Sequence, residues 1–192
     1  MPRTIDLDAR RVQLAEAVWR VIRERGIGAV SVRTIAAEAG VVVGSLRHVF
    51  PTRSELLEFS ARLMIDRATE RIRSIAPTGD ARDDAIAVLR ELLPLTPDTR
   101  AELEVNLALI AETPALPQLA AIRDEADAGL RALCEALVER LRGEADPVAV
   151  ERLFALLDGL ALHLLTRSAD ADRERALRVL RDEVDALAAA RP

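Results

Sequence analysis

The sequence predicts an all-α fold of about nine helices. Two observations carry that prediction. Apolar residues recur three and four positions apart along most of the chain, and no segment alternates with the two-residue period of a strand over a useful length. The segments marked in this way are also bounded by residues that start or stop helices.

Taken in order, the first helix runs from about Asp8 to Arg25, with Val12, Ala15, Trp19 and Ile22 on one stripe and Gly26 after its end. Ser31 caps a short second helix, VRTIAAEA, which Gly40 terminates. A third short helix lies within Val42 to Phe50, and Pro51 ends it. Thr52 begins TRSE, a capping box in which Glu55 reaches back to the cap, and opens a long fourth helix to about Ala76. TGDARDDAIAVLRELLP makes the fifth and ends at Pro94. Thr96 with Pro97, and Asp146 with Pro147, each place a capping side chain before a proline at the first helical position, where the missing N–H has no helical partner to lose. They start the sixth helix, over about 97–112, and the eighth, which continues to about Arg167. The seventh runs from about Pro117 to Arg142 and stops at Gly143, and the ninth from about Asp172 to Ala189.

Half of the 192 residues are apolar and 31% are charged, a balance that suits a globular chain and argues against wholesale disorder. No run approaches the roughly 18–20 apolar residues of a membrane span. The start MPRTIDLDARR lacks the apolar core of a signal peptide, so no membrane association and a cytoplasmic location are expected. Cys134 is the single cysteine, which excludes an intramolecular disulfide. The two histidines, His48 and His163, have no Glu three or four residues away, Cys134 has no nearby His, and GVVVGS lacks the lysine of a phosphate loop. The sequence therefore offers no catalytic or metal site, and neither enzyme activity nor a cofactor is expected.

The net charge of −5 conceals an asymmetry. Residues 1–53 carry nine arginines against five acids, a balance of +4, which leaves −9 on the remainder. A basic head on an acidic body suits a nucleic-acid-binding module joined to a domain that does not bind it, although charges also cluster by chance in a chain of this size.

The second and third helices sharpen this reading. A helix-turn-helix needs apolar residues at fixed points, a small residue where the helices cross and a turn residue able to adopt positive φ. With Gly40 at the turn, the inward positions are Ile35, Ala39, Val41, Leu46 and Val49, and Ala36 is the small crossing residue. Val42, Val43, Gly44, Arg47 and His48 then face outward. An ordinary helical hairpin would have longer helices.

These residues carry a resemblance. VSVRTIAAEAGVVVGSLRHVFPTRSELL resembles the helix-turn-helix of the TetR family of transcriptional regulators, with Ile35, Ala36, Ala39, Gly40, Val41, Gly44, Leu46, Phe50 and Leu56 in register, over about residues 9–57. LLPLTPDTRAELEVNLALIAE and FALLDGLALHLLTRSADADRERALRVLRDEVDAL more loosely resemble the regulatory domain of a branch that includes choline-responsive repressors. Val42 stands where the family usually has serine, Arg47 where it has tyrosine, Val49 where it has histidine and Arg53 where it has lysine.

The resemblance implies a DNA-binding domain over residues 1–52, with three helices, and a ligand-binding and dimerisation domain over 53–192. It implies that the third helix enters the major groove of a double-stranded operator, with Ser31, Arg33, Thr34, Val42, Val43, Gly44, Ser45, Arg47, His48 and Arg53 as the DNA-binding set. Arg47 and His48 suit phosphate or a base edge, and the two valines suit thymine methyl groups. Arg53, near a helix start, suits a phosphate clamp. Each charged or hydroxyl side chain could equally be a solvated charge or a cap.

A homodimer reading a palindrome follows, with Phe154, Leu157, Ala161 and Leu164 of the eighth helix and Leu177, Leu180 and Val184 of the ninth at its interface. A small-molecule effector would lie among the fourth to seventh helices. Phe59, Met64, Leu103, Asn106, Leu107, Ile110, Cys134 and His163 are the candidate lining residues, with core packing as the competing role for Phe59, Met64, Cys134 and His163. Asn106 either orients a ligand or satisfies a buried backbone group. Three Phe, one Trp and no Tyr make an aromatic cage for a quaternary ammonium hard to build. The expected function is a ligand-responsive repressor. The alternative is a helical dimer that binds a small molecule or partner without reading DNA.

Overall fold

The computed structural model describes residues 7–167 and 170–190. Nine α-helices and one 3₁₀ turn occur among the described residues, with no strand: α1 (Leu7–Arg25), the turn (Ile27–Ala29), α2 (Val32–Glu38), α3 (Val43–Val49), α4 (Arg53–Arg73), α5 (Ala81–Arg90), α6 (Pro97–Glu112), α7 (Pro117–Arg142), α8 (Pro147–Thr166) and α9 (Asp170–Ala189). No described helix is long and apolar enough to cross a membrane.

The capping residues act largely as their sequence context predicts. The Ser31 hydroxyl accepts from the Thr34 N–H, and the Asp146 carboxylate accepts from the N–H groups of Val148 and Ala149 ahead of α8. The TRSE box forms only in half. Thr52 Oγ1 accepts from the Glu55 N–H at 3.1 Å, but the Glu55 carboxylate accepts from the Thr52 hydroxyl at 3.0 Å instead of reaching the cap backbone. Two helices end early. α4 stops at Arg73, where the Ser74 hydroxyl donates to the Arg71 carbonyl at 2.7 Å. α5 stops at Arg90, and the backbone N–H groups of Glu91, Leu92 and Leu93 turn to carbonyls three residues back.

The chain packs as two compact units, and their division does not fall at residue 52. The first unit joins Met1–Arg67 to Glu104–Asp124. The core of α1, α2 and α3 is not closed by these helices alone. Leu14, Val18 and Val21 of α1, Ile35 of α2 and Leu46 of α3 are covered by Leu56 and Leu57 of α4, Val105 and Leu109 of α6, and Leu119 and Ile122 of α7. Full burial of such side chains contributes about 1.5–3 kcal/mol each. The buried Trp19 indole donates to the Ser60 carbonyl at 3.3 Å, and the Ser60 hydroxyl donates to the Leu56 carbonyl at 2.7 Å.

The second unit joins Ala68–Leu103 to Glu125–Pro192. Its core is built on Leu89 and Leu93, Val138 of α7, Leu153 and Leu157 of α8, and Leu180, Val184 and Leu187 of α9. The Arg71 guanidinium makes a bidentate pair with the buried Glu102, at 2.9 and 2.7 Å, and donates to Glu91 at 3.2 Å.

This packing bears on the expected dimer interface. Leu157, Ala161, Leu164, Leu180 and Val184, expected between protomers, are already buried within one chain. Phe154 and Leu177 are half-buried, and Phe154 lies under the Arg131 guanidinium at 4.9 Å. Each helix needs a partner for its apolar band, and α8 and α9 supply it to each other and to the rest of their unit.

Candidate nucleic-acid interface

The helix-turn-helix is built as the spacing requires. Gly40 has φ of +66°, the left-handed region that glycine enters without a Cβ penalty. The chain reverses there, with Val41 N–H donating back to the Ala36 carbonyl at 2.9 Å. Ile35, Ala36 and Leu46 are buried, while Ala39, Val41 and Val49 are half-buried against the same core. Gln13 of α1 donates to the Ala39 carbonyl at 3.3 Å and so ties down the end of α2.

Of the predicted outward residues, Val42, Gly44, Arg47 and His48 are exposed. Val43 is not. It is half-buried and packs on the core, because the first residue of α3 turns back toward α1 and α2. Ser45 is half-buried. Ser31 is exposed, and its hydroxyl lies 2.7 Å from that of the half-buried Thr34. When Thr34 donates in that pair, the Ser31 proton remains for an oxygen outside the chain.

The basic head resolves into two groups. Most of its arginines are structural. Arg20 and Arg25 donate to Glu38 at 2.9 and 2.8 Å, and the Arg20 bond first of all holds the Glu38 carboxyl below its ordinary pKa. Arg23 donates to Glu104 at 2.9 Å, and Arg10 donates to Gln13 at 2.9 Å. Arg11 lies over the rings of Phe50 and Phe59, at 5.7 and 5.4 Å. Arg33 of α2 and Arg47 and His48 of α3 have no hydrogen-bond or ion-pair partner among the described residues. Arg3 lies outside those residues.

Arg53 departs from its expected role. Its guanidinium donates to the carbonyls of Val30 and Ile27, at 3.0 and 3.3 Å, and to the Glu112 carboxylate at 3.1 Å. It acts as a strut under the connection that leads into α2. Sequence reading missed this because Arg53 opens α4 and Glu112 closes α6, 59 residues on, and no local spacing marks the pair.

The residues proposed to line an effector site are divided between the two units. Phe59 packs its ring on Phe50, 5.3 Å between centroids, and Met64 is half-buried against the first core. Leu107 and Ile110 are exposed, while Asn106 beside them is half-buried with no hydrogen-bond partner among the described residues. In the second unit, Leu103 packs on the core and Cys134 is fully buried, its thiol pKa pushed up to about 11 by that burial. His163 is exposed and, with Leu160, Leu164, Arg167, Arg175 and Val179, lines an open cleft of about 230 Å³.

Sequence reading also passed over Val148, Ala155 and Leu162, which with Gly159 form an exposed outer stripe of α8, and Val179 of α9, which is exposed as well. The signal was available as the apolar and small residues left over once the inner band had been assigned.

Comparison with known proteins bears on the whole chain. Residues 14–58 match the family model described as bacterial regulatory proteins, tetR family, and residues 81–189 match the model for the C-terminal region of BetI-type transcriptional repressors. The HTH-type transcriptional regulator PksA of Bacillus subtilis (strain 168) is 38% identical, over 97% of this chain and 94% of that protein. A transcriptional regulator from Rhodococcus sp. Rha1 is 29% identical with a TM-score of 0.81, covering 92% of this chain and 95% of that one. A transcriptional regulator from Saccharomonospora viridis, solved in complex with choline, shares the fold at 23% identity and a TM-score of 0.77, covering 93% and 96% of the two chains.

Proposed function

Because the chain belongs to the TetR family and is a DNA-binding transcriptional regulator of the BetI type, we propose that it is a dimeric repressor that holds a palindromic operator and releases it on binding a small molecule. The observation that carries the DNA contact is the sorting of the basic head. Arg33, Arg47 and His48 have no partner among the described residues, whereas Arg20, Arg23, Arg25 and Arg53 are spent on acids and carbonyls of the chain. Arg47 and His48 reach base edges or phosphates from α3, and Ser31, Arg33 and Thr34 hold phosphates from α2. Ser45 and the exposed Gly44 lie on the same short helix as Arg47.

The dimer forms on the outer stripe of α8 and the exposed part of α9. Val148 is 74% exposed, Leu162 50% and Val179 39%, a set of exposed apolar side chains. Gly159 has nothing within 4 Å of where a Cβ would stand, so a second helix can approach closely there. Two copies place two α3 helices on successive major grooves, about 34–36 Å apart.

The effector is a small molecule other than a quaternary ammonium. Such a cation is recognised by aromatic faces, and each of the four aromatic rings already carries an arginine: Arg11 on Phe50 and Phe59, Arg67 on Trp19 and Arg131 on Phe154. Choline, bound by the Saccharomonospora protein, therefore does not carry over. Asn106, with its unpartnered amide, is the residue best placed to orient a polar ligand. Release follows if the effector prefers a dimer whose α3 helices no longer match the grooves.

Selection from a pool of random duplexes by the full-length chain tests the reading. Enrichment of a two-fold symmetric site supports it. A pool that stays random after repeated rounds favours a helical dimer that binds its ligand or partner without reading DNA.

A further inference from the structure

We propose that Val42 is a specificity-determining residue that recognises the C5-methyl group of a thymine in the operator. This inference rests on the DNA-binding reading above and gives one contact a chemical identity. Val42 is 74% exposed, whereas Val41, Val43 and Val49 around it are half-buried and packed on the first core. It occupies the N-cap of α3 with extended backbone, φ −75° and ψ 145°, and makes no side-chain cap hydrogen bond. A serine there would satisfy a free N–H of the first turn, and an isopropyl group gains nothing from water. No contact among the described residues offsets either cost.

The major groove answers both. The thymine methyl is the apolar group that base pairs present there, and the N-terminal residues of a helix laid in that groove are the ones that meet base edges. The valine side chain has no donor or acceptor, so that side chain can bind neither a phosphate nor a polar base edge. Gly44 lies two residues on. A glycine inside a helix costs roughly 1 kcal/mol relative to alanine, yet nothing lies within 4 Å of the place its Cβ would take. Intrachain packing gives no reason for that glycine, but it leaves the α3 backbone clear for the close approach that a methyl-to-methyl contact requires.

The test uses the duplex enriched by the wild-type chain, with thymines replaced by deoxyuridine one symmetric pair at a time. Deoxyuridine lacks only the methyl. For the wild-type chain, one pair of replacements should lower affinity by about fourfold per half-site, and the others should have no effect. Val42→Ser should bind the thymine and deoxyuridine duplexes equally, while its thermal midpoint stays at or above that of wild type because the serine caps α3. Val42→Ala, which brings no polar atom but keeps only one methyl, should show a smaller discrimination than wild type. The proposal is overturned if the wild-type chain binds its operator specifically and no single replacement changes the affinity, or if Val42→Ser keeps the discrimination. If no duplex is enriched at all, the DNA-binding reading fails and takes this contact with it.

Discussion

The α2–α3 pair and the α8–α9 pair are each two helices joined by a short connection, but the sequence constrains them differently. In α2–α3, single residues answer to single geometric demands: Gly40 at φ +66°, Ser31 on the Thr34 N–H, Ala36 at the crossing and Leu46 in the core. In α8–α9, the pattern says only that one band of each helix is apolar. Leu157, Leu164, Leu180 and Val184 satisfy that pattern by packing within their own unit, and a weaker stripe around Leu162 is left outside. Positional constraints identify a partner, whereas periodicity identifies only a face.

The largest expected effect separates those two faces. Leu180→Ala empties a site with no exposed surface and should cost roughly 2–5 kcal/mol in a denaturant titration. Leu162→Ala should leave the unfolding of the protomer almost unchanged and weaken self-association in sedimentation equilibrium. A Leu180→Ala chain of normal stability that had become monomeric would return the inner band to the dimer interface and erase the contrast.

A middle-sized effect tests whether Arg53 belongs with the structural arginines. Arg53→Ala leaves the Val30 and Ile27 carbonyls and Glu112 without their donor and should destabilise the chain by about 1–2 kcal/mol, the side chain being partly exposed. The slope of log affinity against log salt should not change. Arg47→Ala should do the reverse: little change in stability, with a slope flatter by about 0.9 if Arg47 holds one phosphate. A flatter slope for Arg53→Ala would restore it as a phosphate clamp.

The smallest effect is a pH dependence that includes three aspartates at helix starts in the second unit. The backbone N–H of Asp83, and then that of Arg82, holds the Asp80 carboxyl below its ordinary pKa. The Thr78 N–H does so for Asp84, and the Ala149 N–H for Asp146. A folded-state pKa below the unfolded value means that the stabilisation is complete above the ordinary aspartate range and is lost as the pH falls below about 4. Urea midpoints taken from pH 6 to 3 should fall toward the acid end, and Asp146→Asn should fall less steeply. Equal slopes would remove Asp146 from this account.

Much of the fold was legible because helix ends are written in local chemistry: serine, threonine or aspartate before a first turn, proline inside it and glycine after the last. The ends that shifted, at Arg73 and Arg90, lack such a marker and are set by hydrogen bonds of Ser74 and of the backbone after α5. In the candidate site, exposure was legible for Val42, Arg47 and His48, which follow from their spacing relative to Leu46. The engagement of Arg53 was not, since Glu112 lies on another helix. Val43 was misplaced because a helix only seven residues long has no clear outer face at its first position.

The most direct test of the central claim, that α3 presents a sequence-reading surface, is a fluorescence anisotropy titration of the full chain at one fixed salt concentration. It compares the enriched operator with a scrambled duplex of the same composition. The account predicts binding to the operator at least about 10³-fold tighter than to the scrambled duplex. Equal affinity for the two would contradict it.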